Sequence, residues 1–427
     1  MLKAYSEYKD SGIDFPREIP THWKSMKLGK IGRFSASGID KKSDPDEVPV
    51  RMVNYTDVYG NSSLAIPSSE GLMETTTNFE KAREHSLRKG DVLFTPSSET
   101  EKDIGVSAVV TNDLLGTVYS YHLIRFRSAS NSRLSLGFRK YFCNSHEVLS
   151  QFSRLCKGTT RQILGRDDFC TIGIILPPED EQLKIANFLD YKIAQIDALI
   201  TKKDRMIDLL REERTAVINQ AVTKGLDPNV ELKDSGVDWL GKVPKHWRVA
   251  PLKWHLQIAS GDSISIEVLT EECNGAHTVP VIGGNGLMGH TIKSNVFEPV
   301  LAIGRVGALC GNVHFIIPPA WITDNALKIS NLKGYCPEFL CLMLTSMNLN
   351  KLANQNAQPL ITGTLVKNQY APVPSLKEQL EIVTYFNHKT SLIDVQISRE
   401  QKLIDFLKEY RVTLISEAVT GKIDVRG

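Results

Sequence analysis

The stretch 177–224 constrains this chain more than any other, because the sequence repeats it from 374 to 421. Setting Glu181-Gln182-Leu183 over Glu378-Gln379-Leu380 fixes an offset of 197 residues. The match then runs on without a gap. Ile185 falls over Ile382, Lys192 over Lys389, Ile196-Asp197 over Ile393-Asp394, Ile207-Asp208 over Ile404-Asp405, Arg214 over Arg411, and Ala221-Val222-Thr223 over Ala418-Val419-Thr420. Both copies carry the same period. Leu189, Ile193, Ile196, Ile200, Ile207, Leu210, Val217 and Ala221 step by four and three, and so do Phe386, Ile393, Ile397, Ile404, Leu407, Leu414 and Ala418. No glycine or proline interrupts 181–223 or 378–420, so each predicts an unbroken helix. At about 1.5 Å per residue that is a rod of roughly 65 Å.

A rod of that length with one narrow apolar stripe cannot be buried in a single globular core. Its natural partner is a second rod of the same kind, which the chain supplies. Lys203 and Arg214 fill gaps in the first seam, and Thr390, Glu400 and Arg411 fill gaps in the second. Polar seam residues set register, so Lys203→Leu is expected to tighten the pair while loosening its alignment.

A second repeat precedes each helix. Asp10-Ser11-Gly12-Ile13-Asp14, then Ile19-Pro20-Thr21-His22-Trp23, returns as Asp234-Ser235-Gly236-Val237-Asp238, then Val243-Pro244-Lys245-His246-Trp247, at an offset of 224. The plan is therefore leader, variable block, long helix, twice over. The blocks, roughly 29–177 and 253–374, differ in length by 27 residues and share little identity. A frame kept in duplicate around two divergent inserts presents two different surfaces. The expected divisions are leader and first block over 1–177, first helix over 178–224, linker with second leader and block over 225–374, and second helix with tail over 375–427. If the halves are related by a pseudo-two-fold axis, the two helices run antiparallel.

Inside the blocks the reading is mixed and strand-rich. Strands are expected at 48–53, 91–95, 106–110, 122–127 and 174–178, and at 278–282, 300–303, 313–317, 326–329 and 370–374. Helices are expected over 139–155 and 337–353.

Composition narrows the class. At 427 residues the chain is too long for one core. Its N-terminal residues show no secretory apolar segment and no run approaches membrane-spanning length, which points to a cytoplasmic protein with no membrane partner. Seven cysteines lack any C-x-x-C pair, which fits a reducing compartment. A net charge of +2 neither demands nor excludes nucleic acid.

Catalytic signatures are absent. Gly284-Asn285-Gly286-Leu287-Met288-Gly289 spells G-x-G-x-x-G after an apolar run, but dinucleotide binding needs a helix to start there and an acid about 20 residues on. The following 290–297 is rich in strand formers, so the motif reads as a glycine-rich turn. The Pro-Pro pairs at 177 and 318 lie outside any aminomethyltransferase loop, and no phosphate-binding G-x-x-x-x-G-K-S/T is present. Asp46 has no acid-x-lysine partner in the following fifty residues, and the ten histidines form no zinc pairing.

What remains is loop chemistry suited to phosphates and base edges. The first block offers Thr95, Ser97, Ser98, Lys157, Thr159, Thr160, Arg161, Gln162 and Arg166. The second offers Asn285, Lys293, Arg305, Asn325, Gln355, Gln358, Lys367, Asn368 and Gln369.

Several of these stretches are recognisable together. The second leader over 234–247, the turn Ile282-Gly283-Gly284-Asn285-Gly286, Gly304-Arg305-Val306-Gly307, Ile322-Thr323-Asp324-Asn325-Ala326, the Pro-Pro or Pro-x-Pro before Glu-Gln-Leu, and the ending 414–424 resemble the specificity subunit of type I restriction-modification systems. The first block departs from that pattern, with Gly90 to Ser98 standing where the second has Gly304-Arg305-Val306-Gly307. The resemblance implies an α+β fold with two target recognition domains separated by an antiparallel coiled-coil pair. It implies no catalytic, cofactor or metal site in this chain. The expected partners are double-stranded DNA, read as a bipartite site, two methyltransferase subunits that use S-adenosylmethionine, and endonuclease/translocase subunits with ATP and Mg. A related arrangement has methylation and cleavage fused in one partner. A self-contained methyltransferase and a purely structural adaptor are the readings from other classes.

Overall fold

A computed structural model describes residues 3–13, 16–129, 134–307, 309–353 and 359–426. It divides into two compact units, Met1–Lys202 with Lys402–Gly427, and Lys203–Gln401. Each unit contains one leader, one strand-rich block and a stretch of both long helices.

The helices run Glu179–Lys224 and Leu376–Thr420, with 46 and 45 residues. Their lengths follow from the uninterrupted pattern, and Gly225 and Gly421 end them in the left-handed backbone region at φ 75° and 76°. In the first unit Leu189, Ile193 and Ile196 are buried in one core with Leu414, Ile415 and Ala418, while Ile200 and Leu407 pack partly against it. Ile404, also in the first unit, is buried; in the second, Ile207, Leu210 and Ile393 are buried and Ile397 is half-buried. The direction is antiparallel within each unit. Glu181 pairs with Arg426 and Asp197 with Arg411 in the first; Lys203 pairs with Glu400 and Arg214 with Asp394 in the second.

The two repeats prove to be one device. In the first unit the Glu181 carboxylate is buried and accepts from the Tyr5 hydroxyl at 3.0 Å and from Trp23 Nε1 at 2.9 Å, with His22 Nε2 at 2.7 Å and Arg426 at 3.4 Å. In the second, Glu378 accepts from Trp247 Nε1 at 3.1 Å and meets His246 Nε2 at 2.6 Å. The repeated His-Trp of each leader is thus clamped by the repeated Glu of its helix. The neighbouring glutamine does the sewing. Gln182 donates to the Pro177 carbonyl at 3.0 Å and accepts from the Ser135 amide at 2.7 Å. Gln379 donates to the Pro374 carbonyl at 3.0 Å and accepts from the Cys336 amide at 2.8 Å. Trp23 and Trp247 are both essentially inaccessible. Burying roughly 200 Å² of indole contributes about 5 kcal/mol gross, and the Nε1 hydrogen bond removes the polar cost.

Strand pairings repeat with the same logic. Tyr8–Asp10 pairs with Glu18–Pro20, and Leu232–Asp234 with Lys242–Pro244. Lys24–Lys27 pairs with Gly173–Leu176, and Arg248–Pro251 with Tyr370–Val373, so the strand entering each long helix is anchored on its own leader. The first block's main sheet has the order Gly32–Ala36, Ile124–Ser128, Val92–Phe94, Ser107–Val110, Ala65–Ile66; the second has Gln257–Ser260, Ala326–Ser330, Val300–Gly304, Val313–Ile316. A parallel pair accompanies each sheet, Val48–Val53 with Thr117–Tyr119 and Val279–Gly283 with Trp321–Ile322. Two blocks with little shared sequence therefore share a scaffold.

Sequence pattern located strands such as Val48–Val53, Val92–Phe94 and Val300–Gly304 to within one or two residues and gave no expectation for others, among them Gly32–Ala36, Gln257–Ser260 and the leader strands. It failed at two helices. The expected 139–155 is two helices, Leu136–Phe142 and His146–Leu155, because the Ser145 hydroxyl accepts from the Val148 amide and caps a new start. The expected 337–353 stops at Ser346; Asn348 turns left-handed at φ 51° and a 3-10 turn, Leu349–Leu352, follows.

Candidate nucleic-acid interface

In each block three chain segments leave the sheet at corresponding points. Ser120 donates its amide to the Val53 carbonyl at 2.9 Å, and Thr323 donates to Ile282 at 2.9 Å. The next turn closes from Leu123 to Ser120 at 3.0 Å, and from Ala326 to Thr323 at 3.0 Å. A returning loop then docks, Leu164 amide on the Pro96 carbonyl at 2.8 Å and Ile361 amide on the Arg305 carbonyl at 2.9 Å. The backbone thus equates Pro96 with Arg305 and Tyr121-His122 with Asp324-Asn325. It places the start of the short helix Tyr55–Val58 where the second block has its Gly284-Asn285 turn.

The second block brings Asn285, Arg305 and Asn325 together. The Arg305 amide donates to the Asn325 carbonyl at 3.0 Å. A Cβ on Gly284 would meet that same carbonyl at 3.0 Å, and one on Gly304 would meet the Gly284 carbonyl at 2.1 Å, so the segments approach backbone against backbone. The glycines are there for that approach. Gly286–Thr291 continues as a strand paired with Val279–Gly283, so no helix N-terminus meets a pyrophosphate and the G-x-G-x-x-G does not fit a dinucleotide. Arg305 is half-buried, its Nη1 3.5 Å from Ser260 Oγ, and Asn285 and Asn325 are exposed. Lys293 is exposed beyond the hairpin. Lys367, Asn368 and Gln369 sit at the end of the short helix Gly363–Lys367, where the Gln369 carbonyl accepts from Leu252 at 2.9 Å. Gln355 and Gln358 lie outside the described residues.

In the first block Ser97-Ser98 pairs with Gln162-Ile163, which brings the two candidate loops into one ribbon. Lys157, Thr159, Thr160 and Arg161 are exposed on it, and Arg166 is exposed at the start of Arg166–Thr171. Two candidates are turned inward. Thr95 is buried and donates its hydroxyl to the Val106 carbonyl at 3.2 Å; Ser98 is buried and donates to Asp103 at 2.6 Å.

Sequence reasoning passed over the aromatic residues at these strand ends. Tyr55 and Tyr59 stack at 5.3 Å, and Tyr121 lies 3.8 Å from His122. Burial, together with the positive charges of Arg161 and Lys41, lowers the His122 pKa and favours its neutral form. The available signal was tyrosine clustered just after predicted strands.

Residues 20–207 match the model of the type I restriction modification DNA specificity domain. That match covers less than half of the chain, and over it the chain is similar to the type I restriction-modification specificity family. It is 30% identical over 146 residues to the Escherichia coli type I restriction enzyme EcoprrI specificity subunit, a match over 34% of this chain and 36% of that protein. Against the EcoKI specificity subunit of Escherichia coli K12 it is 21% identical over 329 residues, 67% of this chain and 65% of that protein. These matches thus span about a third and about two thirds of the relatives' lengths. The fold is shared with a chain from a structure described as the basis of complex assembly and conformational transition of the type I R-M system, at TM-score 0.73 and 17% identity over 96% of this chain and all of that one. It is also shared with the HsdS subunit of Thermoanaerobacter tengcongensis, at TM-score 0.55 and 18% identity over 96% of this chain and 99% of that one. Among the described residues no helix is long and apolar enough to cross a membrane, and no His, Cys, Asp and Glu group could hold a metal ion.

Proposed function

We propose that this chain is the non-catalytic DNA-reading subunit of a type I restriction-modification complex. Each block reads one half of a bipartite, asymmetric site. The helix pair fixes the spacer between the halves and docks two methyltransferase subunits, with endonuclease/translocase subunits joining them. S-adenosylmethionine, ATP and Mg act in those partners, and the adenine to be methylated is flipped into a partner's pocket.

The observation that carries this reading is the equivalence of the two scaffolds at their loop ends. The same backbone stations carry Arg305 and Asp324-Asn325 in one block and Pro96 and Tyr121-His122 in the other. Such a difference alters base contacts while leaving the frame unchanged. Docking on the helices is supported by apolar side chains that their own unit leaves exposed, Leu183 and Tyr191 in the first and Leu392 and Val395 in the second.

The test is long-read methylation mapping of a strain carrying the chain with 29–177 replaced by a homologue's block. One half-site should change and the other persist; a change in both would refute modular reading. Inserting four residues within 193–210, a rise of roughly 6 Å, should lengthen the spacer with both half-sequences unchanged. An unaltered spacer would refute the ruler.

A further inference from the structure

One carboxylate in the first unit ties together segments of its candidate reading face. Asp103 accepts from Ser98 Oγ at 2.6 Å and from Thr100 Oγ1 at 2.5 Å on one oxygen, and from the Tyr59 hydroxyl on the other. Tyr59 stacks on Tyr55, whose hydroxyl donates to the Ser97 carbonyl at 3.0 Å. Ser97 and Ser98 pair in turn with Ile163 and Gln162. Asp103 thus ties Tyr59, at the end of the short helix Tyr55–Val58, to the 97–103 loop, and that loop is paired by its backbone with 162–163. The second unit closes the equivalent turn with the Cys310 amide on the Gly307 carbonyl at 3.0 Å and the Gly311 amide on the Gly304 carbonyl at 2.8 Å, and Asn350 Nδ2 donates to the Cys310 carbonyl at 2.9 Å. Glycine at 304 and 307 permits that compact turn. The first unit closes its own turn by the same backbone bond, the Gly105 amide on the Thr95 carbonyl at 3.0 Å, and adds the side-chain bonds to Asp103.

We propose that Asp103 and Tyr59 are a positioning pair that sets the base preference of the first reader, an inference that rests on the DNA-reading function proposed above. The pair holds the 97–103 loop and the tyrosine stack in the one arrangement that presents Ser97, Arg161 and Gln162 to a duplex. Charge-assisted hydrogen bonds to a carboxylate are about twice as strong as neutral ones, so the arrangement is stiff. Base readout needs such stiffness, because a hydrogen bond to a base edge weakens steeply once its geometry is lost. Asp103 does not need to touch DNA for this role.

The experiment uses the full chain in its assembled modification complex. Duplex libraries carry each half-site with one position randomised at a time, and methylation is counted by sequencing. Asp103→Asn should lower discrimination against wrong bases about tenfold at one or more positions of one half-site. Tyr59→Phe should do the same more weakly and at the same positions. The other half-site should keep its preference, and the salt dependence of binding should not change, since no phosphate contact is lost. Thr100→Val, at an exposed position, supplies a third variant that decides the matter if Asp103→Asn fails to fold. Equal relaxation of both half-sites, or unchanged discrimination in correctly folded variants, overturns the proposal. Absence of base preference in the unsubstituted complex overturns the DNA-reading function itself, and the proposal with it.

Discussion

Lys203 Nζ lies 2.8 Å from Glu400 Oε2, with the two side chains 26% and 20% exposed. The neighbouring seam positions of the same unit are apolar, with Ile207 buried and Ile397 half-buried. The pair adds an energetic term to the expectation that Lys203→Leu tightens the helices while loosening their alignment. The glutamate opposite would be left without its partner in a seam three-quarters shielded from water. Breaking a fully buried pair costs about 3–5 kcal/mol and an exposed one about 0–1. The intermediate shielding here places Lys203→Leu at a loss of about 2 kcal/mol, and Glu400→Leu at a similar loss. The double variant should return to wild-type stability or exceed it by about 1 kcal/mol, because two leucines restore the stripe and no charge is stranded. Guanidinium unfolding followed by helical circular dichroism measures all four corners of the cycle. The single losses should shrink in 1 M salt, where screening weakens the pair. A neutral or stabilising Lys203→Leu, or a coupling energy below about 0.5 kcal/mol, would refute the reasoning.

Other consequences are as concrete. Burial alone would raise the Glu378 carboxyl pKa, but hydrogen bonds from His246, Trp247 and Ser375 outweigh it and hold the group at about 2, against 4.5 unperturbed. Its stabilisation is therefore complete above about pH 4.5 and lost as pH falls through about 2; Glu378→Gln should flatten the acid limb of a stability-against-pH curve for the second unit. Gly421 sits at φ 76°, and a Cβ there would meet Pro20 Cδ at 2.6 Å and Trp23 at 3.0 Å. Gly421→Ala should cost about 1–3 kcal/mol in thermal unfolding. Gly225→Ala, whose Cβ meets Trp247 at 3.3 Å, should cost less. Arg305→Ala should relax one position of one half-site by about 1–3 kcal/mol of discrimination, read by the same methylation counting.

Much of this protein was legible before any coordinates. The long helices were readable because their apolar stripe has a period that no other structure buries, and because nothing in 181–223 or 378–420 breaks a backbone ladder. The duplicated plan was readable because two offsets recur. The central strands of each block followed from runs such as 48–53 and 300–303, whose side chains suit a sheet interior, whereas the leader strands and short edge strands did not.

Tertiary structure decided what those repeats are for. That Glu181 and Glu378 receive the tryptophans of their own leaders is a contact across more than a hundred residues, and no local periodicity encodes it. The pairing of Lys203 with Glu400 depended on which helix faces meet. The reading faces were the least legible of all. Thr95 and Ser98 are residue types suited to DNA yet are turned inward, while Tyr55 and Tyr59, which resemble core aromatics in sequence, stand at the strand ends. The physical reason is that a side chain's availability depends on where neighbouring loops place their donors and acceptors. In the first unit the Val106 carbonyl takes up the Thr95 hydroxyl, and the Asp103 carboxylate takes up those of Ser98 and Tyr59.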